Sequence, residues 1–252
     1  NDALSKSLTP MAIIPVDLFG LPARYSLIDQ FARDHDLFVL EDAAQGFGGS
    51  IRGQKAGSFG HVAATSFFPA KPLGCYGDGG AIFTNDDGLA EAMKSIRVHG
   101  AGTDKYDNIR LGINGRLDTL QAAILLEKLA IFDDELDKRN QAAAYYADNL
   151  HDSFIAPFVP EDYISSWAQY SILAGTKEHR DEIIKKLKEQ NIPAMIYYRI
   201  PLHLQKVFED LGFKAGEFPV SEDTANRIFS IPMHPYITRE TQDKILSVLA
   251  KA

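Results

Sequence analysis

Two side chains, Lys71 and Asp42, have the chemistry of a site that holds an aldehyde cofactor. Lys71 ends the segment Ser-Phe-Phe-Pro-Ala-Lys, residues 66–71, and a glycine-rich loop, residues 74–80, follows it. A lysine amine in such a loop can attack an aldehyde and form a Schiff base. Asp42 ends an apolar segment, and a carboxylate there can pair with a protonated pyridine nitrogen and keep the ring an electron sink. Together the two residues predict a site for pyridoxal phosphate.

Either residue alone is a weak signal. A single loop lysine is usually solvated, and an aspartate after a strand usually caps a turn or a helix. Lys71 and Asp42, however, both follow predicted strands, and ligands of open parallel sheets bind beyond the carboxyl ends of the strands. The shared position favours the functional interpretation over the structural one.

Two further residues extend this site. The Ser66 hydroxyl could donate a hydrogen bond to a cofactor phosphate, and the glycine loop offers backbone N–H groups to the same phosphate. Gln45 could lie against the cofactor ring. The alternatives are an ordinary strand serine and an ordinary turn glutamine, and neither residue decides between these interpretations by itself.

Other kinds of site find no support in the motifs. The glycine-rich stretch matches neither the G-x-G-x-x-G pattern of dinucleotide sites nor the G-x-x-x-x-G-K-[ST] phosphate loop. The histidines form no H-E-x-x-H arrangement, and one cysteine cannot build a thiolate cluster. The motifs therefore predict no metal site and give no support to a dinucleotide or nucleoside-triphosphate enzyme.

The composition is that of a globular protein with small-molecule partners. The 252 residues, 45% hydrophobic and 24% charged, can bury a substantial core in one large or two modest domains. A net charge of -8 gives no general attraction for nucleic acid or anionic membranes. Cys75 is alone, and no apolar run approaches the roughly 20 residues of a membrane helix. These features indicate a reducing, cytoplasmic setting.

The first half of the chain alternates strands and helices. Residues 12–18 form an apolar segment typical of a buried strand, residues 25–35 have helical spacing behind Pro22, and residues 38–40 open a second strand. Strand, helix and strand of this kind form a crossover between parallel strands. Residues 62–68 and 81–84 are predicted as further strands, on either side of the loop that contains Lys71.

A helical region separates two predicted domains. Residues 117–150 have the apolar spacing of one long helix or of two consecutive helices. We place a large domain at residues 1–132 and a smaller one at residues 133–252. The elements predicted in the smaller domain are a strand at 167–173, helices at 178–190 and up to Gly212, a strand at 194–198, and a final helix capped by Thr238.

Several motifs, in this order, resemble those of the DegT/StrS nucleotide-sugar aminotransferases, and the resemblance extends from Ala12 to the C-terminus. They are Glu41-Asp42-Ala43-Ala44-Gln45, residues 66–71, residues 77–81, residues 112–118 with Gln121-Ala122-Ala123, and Ile200-Pro201-Leu202-His203. The resemblance implies an α/β protein of the aspartate-aminotransferase type (fold type I). Such a protein has a mixed, mostly parallel sheet domain and a smaller α+β C-terminal domain.

The resemblance also implies roles for individual residues. Lys71 would bind pyridoxal 5'-phosphate covalently and then move the proton between substrate and cofactor carbons, while Asp42 would hold the pyridinium. Ser66 would bind the phosphate and Gln45 would contact the ring. Asn114 would reach the phosphate of the neighbouring subunit's cofactor, so the resemblance implies a homodimer with shared active sites.

Two departures from the family pattern bear on the site. Family members carry a further N-terminal stretch that contributes to the cofactor site, and this chain begins after it, so we expect the first domain to be N-terminally incomplete. Many relatives have His-Tyr-Pro before the Pro-Leu-His motif, whereas residues 197–199 are Tyr-Tyr-Arg. Tyr198 and His203 are the candidate substrate contacts.

The resemblance implies transfer of an amino group from glutamate to a keto-sugar nucleotide in bacterial surface-polysaccharide sugar biosynthesis. The motifs are most similar to those of relatives that aminate the C3 ketone of a UDP-linked N-acetylated uronic acid. One alternative is the related sugar dehydratase, in which histidine replaces the Schiff-base lysine, and Lys71 argues against it. Another is a regulatory protein or inactive fragment that keeps the scaffold.

Overall fold

The computed structural model describes residues 8–104 and 106–251. The strands are β1 (Ala12–Ile13), β2 (Phe38–Asp42), β3 (Ser50–Ile51), β4 (Gln54–Lys55), β5 (Val62–Ser66), β6 (Gly80–Phe83), β7 (Phe154–Ile155), β8 (Tyr163–Ile164), β9 (Tyr170–Ala174) and β10 (Ile228–Ile231). The α-helices are α1 (Tyr25–Asp34), α2 (Asp87–Arg97), α3 (Thr119–Ala130), α4 (Phe132–Asn149), α5 (Lys177–Glu189), α6 (Pro219–Arg227) and α7 (Arg239–Leu249). Short 3₁₀ helices occupy Leu18–Gly20, Leu202–Leu204 and Lys206–Leu211.

The chain divides into two compact units. The first contains Asn1–Leu136 and Val159–Ala168, and the second contains Asp137–Phe158 and Gln169–Ala252. The change of unit after Leu136 falls inside α4, and the predicted domain boundary between residues 132 and 133 lies at the start of the same helix.

The main sheet of the first unit is mixed and mostly parallel, as predicted. Its strand order is β1-β2-β5-β6, with β1, β2 and β5 parallel and β6 antiparallel to β5. Helix α1 forms the crossover from β1 to β2, and its Ala32 packs on Leu37 and Val39. A second, antiparallel sheet of order β4-β3-β8 belongs to the same unit.

The strand predicted at residues 12–18 is much shorter in the structure. After β1, Val16 makes a single parallel bridge to Asp42, and the chain then enters the 3₁₀ helix that ends at Gly20. Gly20 has φ 110°, and a Cβ atom there would lie 2.5 Å from Ser166 Oγ, so this tight turn requires glycine. The turn ends the strand and carries Asp17 into the interior.

The helical region at residues 117–150 consists of two helices, α3 and α4, which resolves the alternative that the sequence leaves open. Where they meet, Leu125 and Phe132 pack on Phe67, Leu73 and Cys75. This cluster lies beneath the loop that follows β5. Apolar burial therefore joins the loop with the candidate lysine to α3.

The second unit is an antiparallel sheet with helices. Its strand order is β10-β9-β7, and Ser171 and Ser230 share a buried hydrogen bond of 2.8 Å across β9 and β10. Helices α5 and α7 contact each other. As predicted, Thr238 caps the last helix, and its hydroxyl accepts a hydrogen bond from the Thr241 N–H.

The strand predicted at residues 194–198 is wrong. Met195 makes only an isolated bridge with Ser230. Pro193 lacks the N–H that a strand ladder needs, and Met195 and Tyr198 are both exposed, so the segment has no continuous buried face. The aromatic and apolar residues that suggested a strand belong to an irregular segment.

Candidate active site

Asp42 and Ser66 lie at the carboxyl ends of neighbouring parallel strands. Asp42 is the last residue of β2, Ser66 is the last residue of β5, and the strand register pairs Asp42 with Ala64. Because the carboxyl ends of parallel strands face the same edge of a sheet, the two side-chain positions share the edge where ligands bind in such sheets. Both residues are half-buried.

The Asp42 carboxylate has one oxygen engaged locally. Its Oδ1 accepts a 3.0 Å hydrogen bond from the Ala44 N–H, which fixes the side chain against the turn that follows the strand. In the described chain, Oδ2 has no hydrogen-bond partner. One carboxylate oxygen therefore remains available to a ligand at the sheet edge.

The loop after β5 closes on itself and holds Lys71 on its outer part. The Phe67 N–H donates to the Gly79 carbonyl and the Cys75 N–H donates to the Phe67 carbonyl, both over 2.8 Å. Lys71 is half-buried, and its backbone N–H donates to the Phe68 carbonyl over 2.8 Å. Within the described residues, its Nζ forms neither a hydrogen bond nor an ion pair, so no protein group competes with a ligand for it.

Gly74 and Cys75 allow the loop to be this tight. A Cβ atom at Gly74 would lie 2.7 Å from the carbonyl oxygens of both Phe68 and Pro69. The Cys75 side chain is fully buried, and its thiol lies 3.0 Å from the Phe67 carbonyl oxygen. Cys75 therefore serves as packing and as a weak donor inside the loop.

The Ser66 hydroxyl can donate a hydrogen bond to a ligand. Its Oγ accepts a 3.2 Å hydrogen bond from the Phe68 N–H. No hydrogen bond from the hydroxyl to another group occurs in the part of the chain that the structure describes. Since a hydroxyl can donate one bond while it accepts another, Ser66 can still donate to a ligand.

Gln45 is more enclosed than the other candidates. Its side chain is buried, and its amide oxygen accepts a hydrogen bond from the Phe19 N–H. Its backbone carbonyl accepts from the Ser166 hydroxyl over 2.6 Å. Gln45 thus fixes the turn after β2 to the 3₁₀ helix at Leu18–Gly20, and its amide oxygen already has a protein partner.

Asp17 and Glu41 form a buried acidic pair behind the sheet edge, and both side chains have 0% exposure. Burial is the largest cause that raises the pKa of both carboxyl groups above their ordinary values. Burial also raises the pKa of Tyr25, whose hydroxyl donates to Asp17. Glu41 occupies the position next to Asp42 on β2, with its side chain on the opposite face of the strand.

Asn114 lies on a different part of the first unit. It makes an isolated antiparallel bridge with Val98, directly after α2, and its side chain is exposed. Its Oδ1 accepts a 3.1 Å hydrogen bond from Arg116 Nε.

The candidate substrate contacts Tyr198 and His203 belong to the second unit. Tyr198 is exposed, and its ring meets Tyr197 edge-on at 5.6 Å between centroids. The His203 ring is largely buried, with Nε2 3.0 Å from Glu222 Oε1. The N–H of Gly216 is the main cause that lowers the pKa of Glu222, with further contributions from the Phe218 N–H and His203.

The first unit also has an apolar groove of about 920 Å³. Residues of β5, β6 and α2 line it together with Ile113 and Leu117, and its lining includes neither Asp42 nor Lys71.

In the described residues, no cluster of histidine, cysteine and carboxylate side chains could hold a metal ion. No described helix has both the length and the apolar character needed to cross a membrane.

The profile of the DegT/DnrJ/EryC1/StrS aminotransferase family matches residues 3–250. The chain belongs to this family. A curated relative, UDP-2-acetamido-2-deoxy-3-oxo-D-glucuronate aminotransferase of Pseudomonas aeruginosa, is 45% identical over 237 residues. The alignment covers 93% of this chain and 64% of that relative, so the chain spans less than two thirds of the relative's length.

Solved structures of DegT/DnrJ/EryC1/StrS proteins share the fold of this family member. A DegT DnrJ EryC1 StrS aminotransferase from Brucella abortus is 50% identical with a TM-score of 0.95, over 99% of this chain and 66% of that one. DesV of S. venezuelae, solved in complex with a ketimine intermediate, is 33% identical with a TM-score of 0.91, over 98% of this chain and 67% of that one. The predicted fold class is therefore confirmed.

Sequence reasoning assigned no structural role to several residues around this candidate site. Asp17 was hidden inside an apolar segment interpreted as a strand, although a carboxylate in such a segment is itself a signal. Gln121 and Lys128 of α3 hold the loop after Lys71 through hydrogen bonds to Tyr76 and Gly74. Their spacing of seven residues places both on one helix face.

Proposed function

We propose that this chain is the main part of a pyridoxal-phosphate-dependent aminotransferase that acts on a keto-sugar nucleotide. The observation that carries the proposal is the arrangement around the ends of β2 and β5. A lysine amine, a carboxylate oxygen and a hydroxyl proton, from Lys71, Asp42 and Ser66, are all without protein partners in the described residues. These are the groups that an aldehyde, a protonated ring nitrogen and a phosphate require.

The donor set fits the cofactor. When bound, pyridoxal phosphate supplies an aldehyde that takes up and releases an amino group, and a ring that withdraws electrons from the reacting carbon. The Lys71 amine, which has no protein partner in the described residues, would hold the aldehyde and would be the group that moves a proton at the reacting carbon. The Asp42 carboxylate, fixed by the Ala44 N–H, would hold the ring proton through the oxygen that has no protein partner.

The phosphate end would be held by neutral donors. The Ser66 hydroxyl can donate while it accepts from the Phe68 N–H, and this bond keeps the side chain in one orientation. Gln45, enclosed behind the turn after β2, would contact the ring and define its depth.

For the substrate, we propose a UDP-linked 3-keto N-acetylated uronic acid with glutamate as the amino donor. The support is the name and 45% identity of the Pseudomonas relative. Tyr198, which is exposed, and His203 are the proposed substrate contacts. Because His203 Nε2 is bonded to Glu222, the histidine would act through its other ring nitrogen or by shaping the segment around it.

We further propose a cytoplasmic homodimer with shared active sites. The exposed amide of Asn114, held by Arg116, would reach the cofactor phosphate of the partner subunit. The net charge of -8 supports small-molecule partners rather than nucleic acid or a membrane surface.

A comparison of wild type with Lys71→Ala and Lys71→Arg tests the proposal. The purified protein is mixed with pyridoxal phosphate, its visible absorption is recorded, and glutamate is added. We expect a Schiff-base absorption band that glutamate bleaches in the wild type and that is absent from both variants, because arginine keeps the charge but not a nucleophilic amine.

The same proteins are then supplied with UDP-2-acetamido-2-deoxy-3-oxo-D-glucuronate and glutamate. Amino transfer by the wild type and its loss in both variants, with unchanged circular dichroism, would support the proposal. Turnover that persists in Lys71→Ala would overturn the role of Lys71. Bleaching by glutamate without transfer to this sugar would overturn only the proposed substrate.

A further inference from the structure

One oxygen of the acidic pair of Asp17 and Glu41 is buried without a hydrogen-bond donor. Glu41 is fully satisfied, because its Oε1 accepts from the Gly57 N–H over 2.6 Å and its Oε2 accepts from the Phe59 N–H over 2.8 Å. In Asp17, Oδ1 also has two partners. The other oxygen, Asp17 Oδ2, is buried and has no partner among the described residues.

A buried carboxylate oxygen without a donor is costly, because the group loses its water and gains nothing in return. The close approach of Gly46 makes the enclosure tight, since a Cβ atom there would contact Asp17 Oδ2. Asp17 and Glu41 lie within hydrogen-bond reach of each other. A proton between the two carboxyl groups would give the orphaned oxygen its partner.

We propose that Asp17 and Glu41 share one proton, carried on Asp17 Oδ2 and donated to the Glu41 carboxylate, and that this pair positions Asp42. The proton belongs on Asp17 because both Glu41 oxygens already accept N–H bonds, which favour the ionised form of Glu41. The protonated Asp17 can still accept from the Ala23 N–H and the Tyr25 hydroxyl through Oδ1.

The electrostatic surroundings support a single negative charge on the pair. The hydrogen bonds to both carboxyls come from backbone N–H groups and from the neutral Tyr25 hydroxyl. The other titratable group that faces Asp17 is Asp42, whose negative charge raises the pKa of Asp17 further. Two fully buried carboxylates beside a third would be strongly unfavourable if all were ionised.

The pair acts on Asp42 through the backbone. The Asp17 N–H donates to the Asp42 carbonyl over 3.1 Å, and the Asp42 N–H donates to the Pro15 carbonyl over 2.9 Å. The shared proton anchors the segment that carries Asp17, and this segment binds both backbone groups of Asp42. Asp17 is thus a positioning residue for a carboxylate whose contact with the cofactor rests on the proposed function.

The substitution Asp17→Asn tests where the proton lies. An asparagine can place its oxygen at Oδ1 and its NH₂ at Oδ2, so it reproduces every hydrogen bond with a permanent donor. The native pair keeps a proton that the unfolded chain releases near pH about 4, because burial raises the pKa of the pair. The wild type therefore loses stability as pH rises from about 4 through this raised folded-state pKa. Asp17→Asn should remove this dependence.

The first measurement is the number of protons released on unfolding at pH 6.5, from calorimetry in two buffers with different ionisation enthalpies. We expect the wild type to release about one more proton than Asp17→Asn. We also expect Asp17→Asn to be at least as stable as the wild type at pH 8. Equal proton release by the two proteins, or marked destabilisation of Asp17→Asn, would overturn the proposal.

Glu41→Gln is the contrasting variant. Its amide NH₂ must face the Gly57 or Phe59 N–H, so we expect it to be less stable than Asp17→Asn at every pH. The reverse order would place the proton on Glu41 and contradict the assignment.

The second measurement is the affinity for pyridoxal phosphate at pH 6.5 and pH 9, by visible absorption. The wild type loses the shared proton between pH 6.5 and pH 9, so its affinity for pyridoxal phosphate should fall at least threefold more than that of Asp17→Asn. An equal fall in affinity in both proteins would refute the positioning role. If neither protein binds the cofactor, the proposed function fails. The number of protons released on unfolding still tests whether Asp17 and Glu41 share a proton.

Discussion

The ammonium group of Lys128, in α3, donates a hydrogen bond to the carbonyl oxygen of Gly74, in the loop that follows Lys71. The same ammonium lies 5.9 Å from the centroid of the Tyr76 ring, and the Tyr76 N–H donates to Gln121 over 2.8 Å. Two side chains on one face of α3 therefore bind consecutive parts of the loop. The loop depends on this helix for its shape.

Lys128→Met should loosen this loop without unfolding the protein. Methionine keeps the length and apolar contacts of the lysine stem but cannot donate to Gly74, and a hydrogen bond from a charged donor contributes about 1.5–3 kcal/mol when both groups are shielded. Because Lys128 is half-buried, we expect a loss of about 1–2 kcal/mol in the free energy of unfolding and a several-fold weaker affinity for pyridoxal phosphate. Denaturant titration and visible absorption measure the two quantities.

Lys188→Met is the matched control for this experiment. Lys188 lies in α5 of the second unit, is exposed, and makes no side-chain hydrogen bond within the described residues. Its substitution should leave both quantities unchanged. Equal effects of the two substitutions would show that lost charge, rather than the bond to Gly74, causes the change.

Two substitutions distinguish the effect of the Asp42 charge from the effect of its hydrogen bond to the Ala44 N–H. Asp42→Asn keeps an oxygen that accepts from the Ala44 N–H but removes the charge, whereas Asp42→Ala removes both. If the charge holds the proton of the cofactor ring, both variants should lose at least a hundredfold in the rate of amino transfer. Only Asp42→Ala should also lose stability, by about 1 kcal/mol.

Steady-state rates and denaturant titrations distinguish these outcomes. An Asp42→Asn protein with the wild-type rate would remove the charge from the mechanism. If rate and stability instead fall together in both variants, the role of Asp42 is structural.

The positions of Asp42 and Ser66 at one sheet edge could be predicted because strand periodicity and the parallel crossover determine them. The roles of these residues and of Lys71 stay predictions. The sequence could not predict the pair of Asp17 and Glu41. That pair depends on where the chain leaves β1 and turns at Gly20, and this turn is enforced by contact with Ser166, far along the chain. Long-range packing of this kind leaves no periodic signal.

In the second unit too, local interactions could be predicted from the sequence and long-range packing could not. Thr238 was predictable as a helix cap because capping is a local interaction. The irregular segment around Met195 was predicted as a strand because its residue types favour β-structure. Its actual structure depends on which residues find a buried face, and the segment's own residue types do not determine that.

Glu222 should make the segment around His203 sensitive to acid. Its pKa lies below the ordinary glutamate value because the Gly216 N–H, then the Phe218 N–H and His203, stabilise the carboxylate. The unfolded chain therefore binds this proton more readily, so the stabilisation is present above pH about 4.3 and is lost as pH falls through the folded-state pKa. Glu222→Gln should be less protected from hydrogen exchange than wild type at pH 7, and the two should converge near pH 3.

Hydrogen exchange of peptides that cover residues 200–222 measures this effect directly. Glu189→Gln is the control, because Glu189 is exposed and its side chain makes no contact that the described structure records. Its protection should follow the wild type at each pH. A constant difference between Glu222→Gln and wild type from pH 3 to pH 7 would contradict a role for the charge.

A mixture of two inactive proteins tests whether Asn114 acts on the partner subunit's cofactor. In a heterodimer of Lys71→Ala and Asn114→Ala, one active site lacks both residues and the other contains both. If Asn114 serves the partner's site, random reassociation of equal amounts should restore about a quarter of wild-type active sites, because half of the dimers are mixed and each has one intact site. Sedimentation should first show that each variant remains dimeric. Amino transfer no greater than the sum of the separate variants would mean that Asn114 acts within its own subunit or not at all.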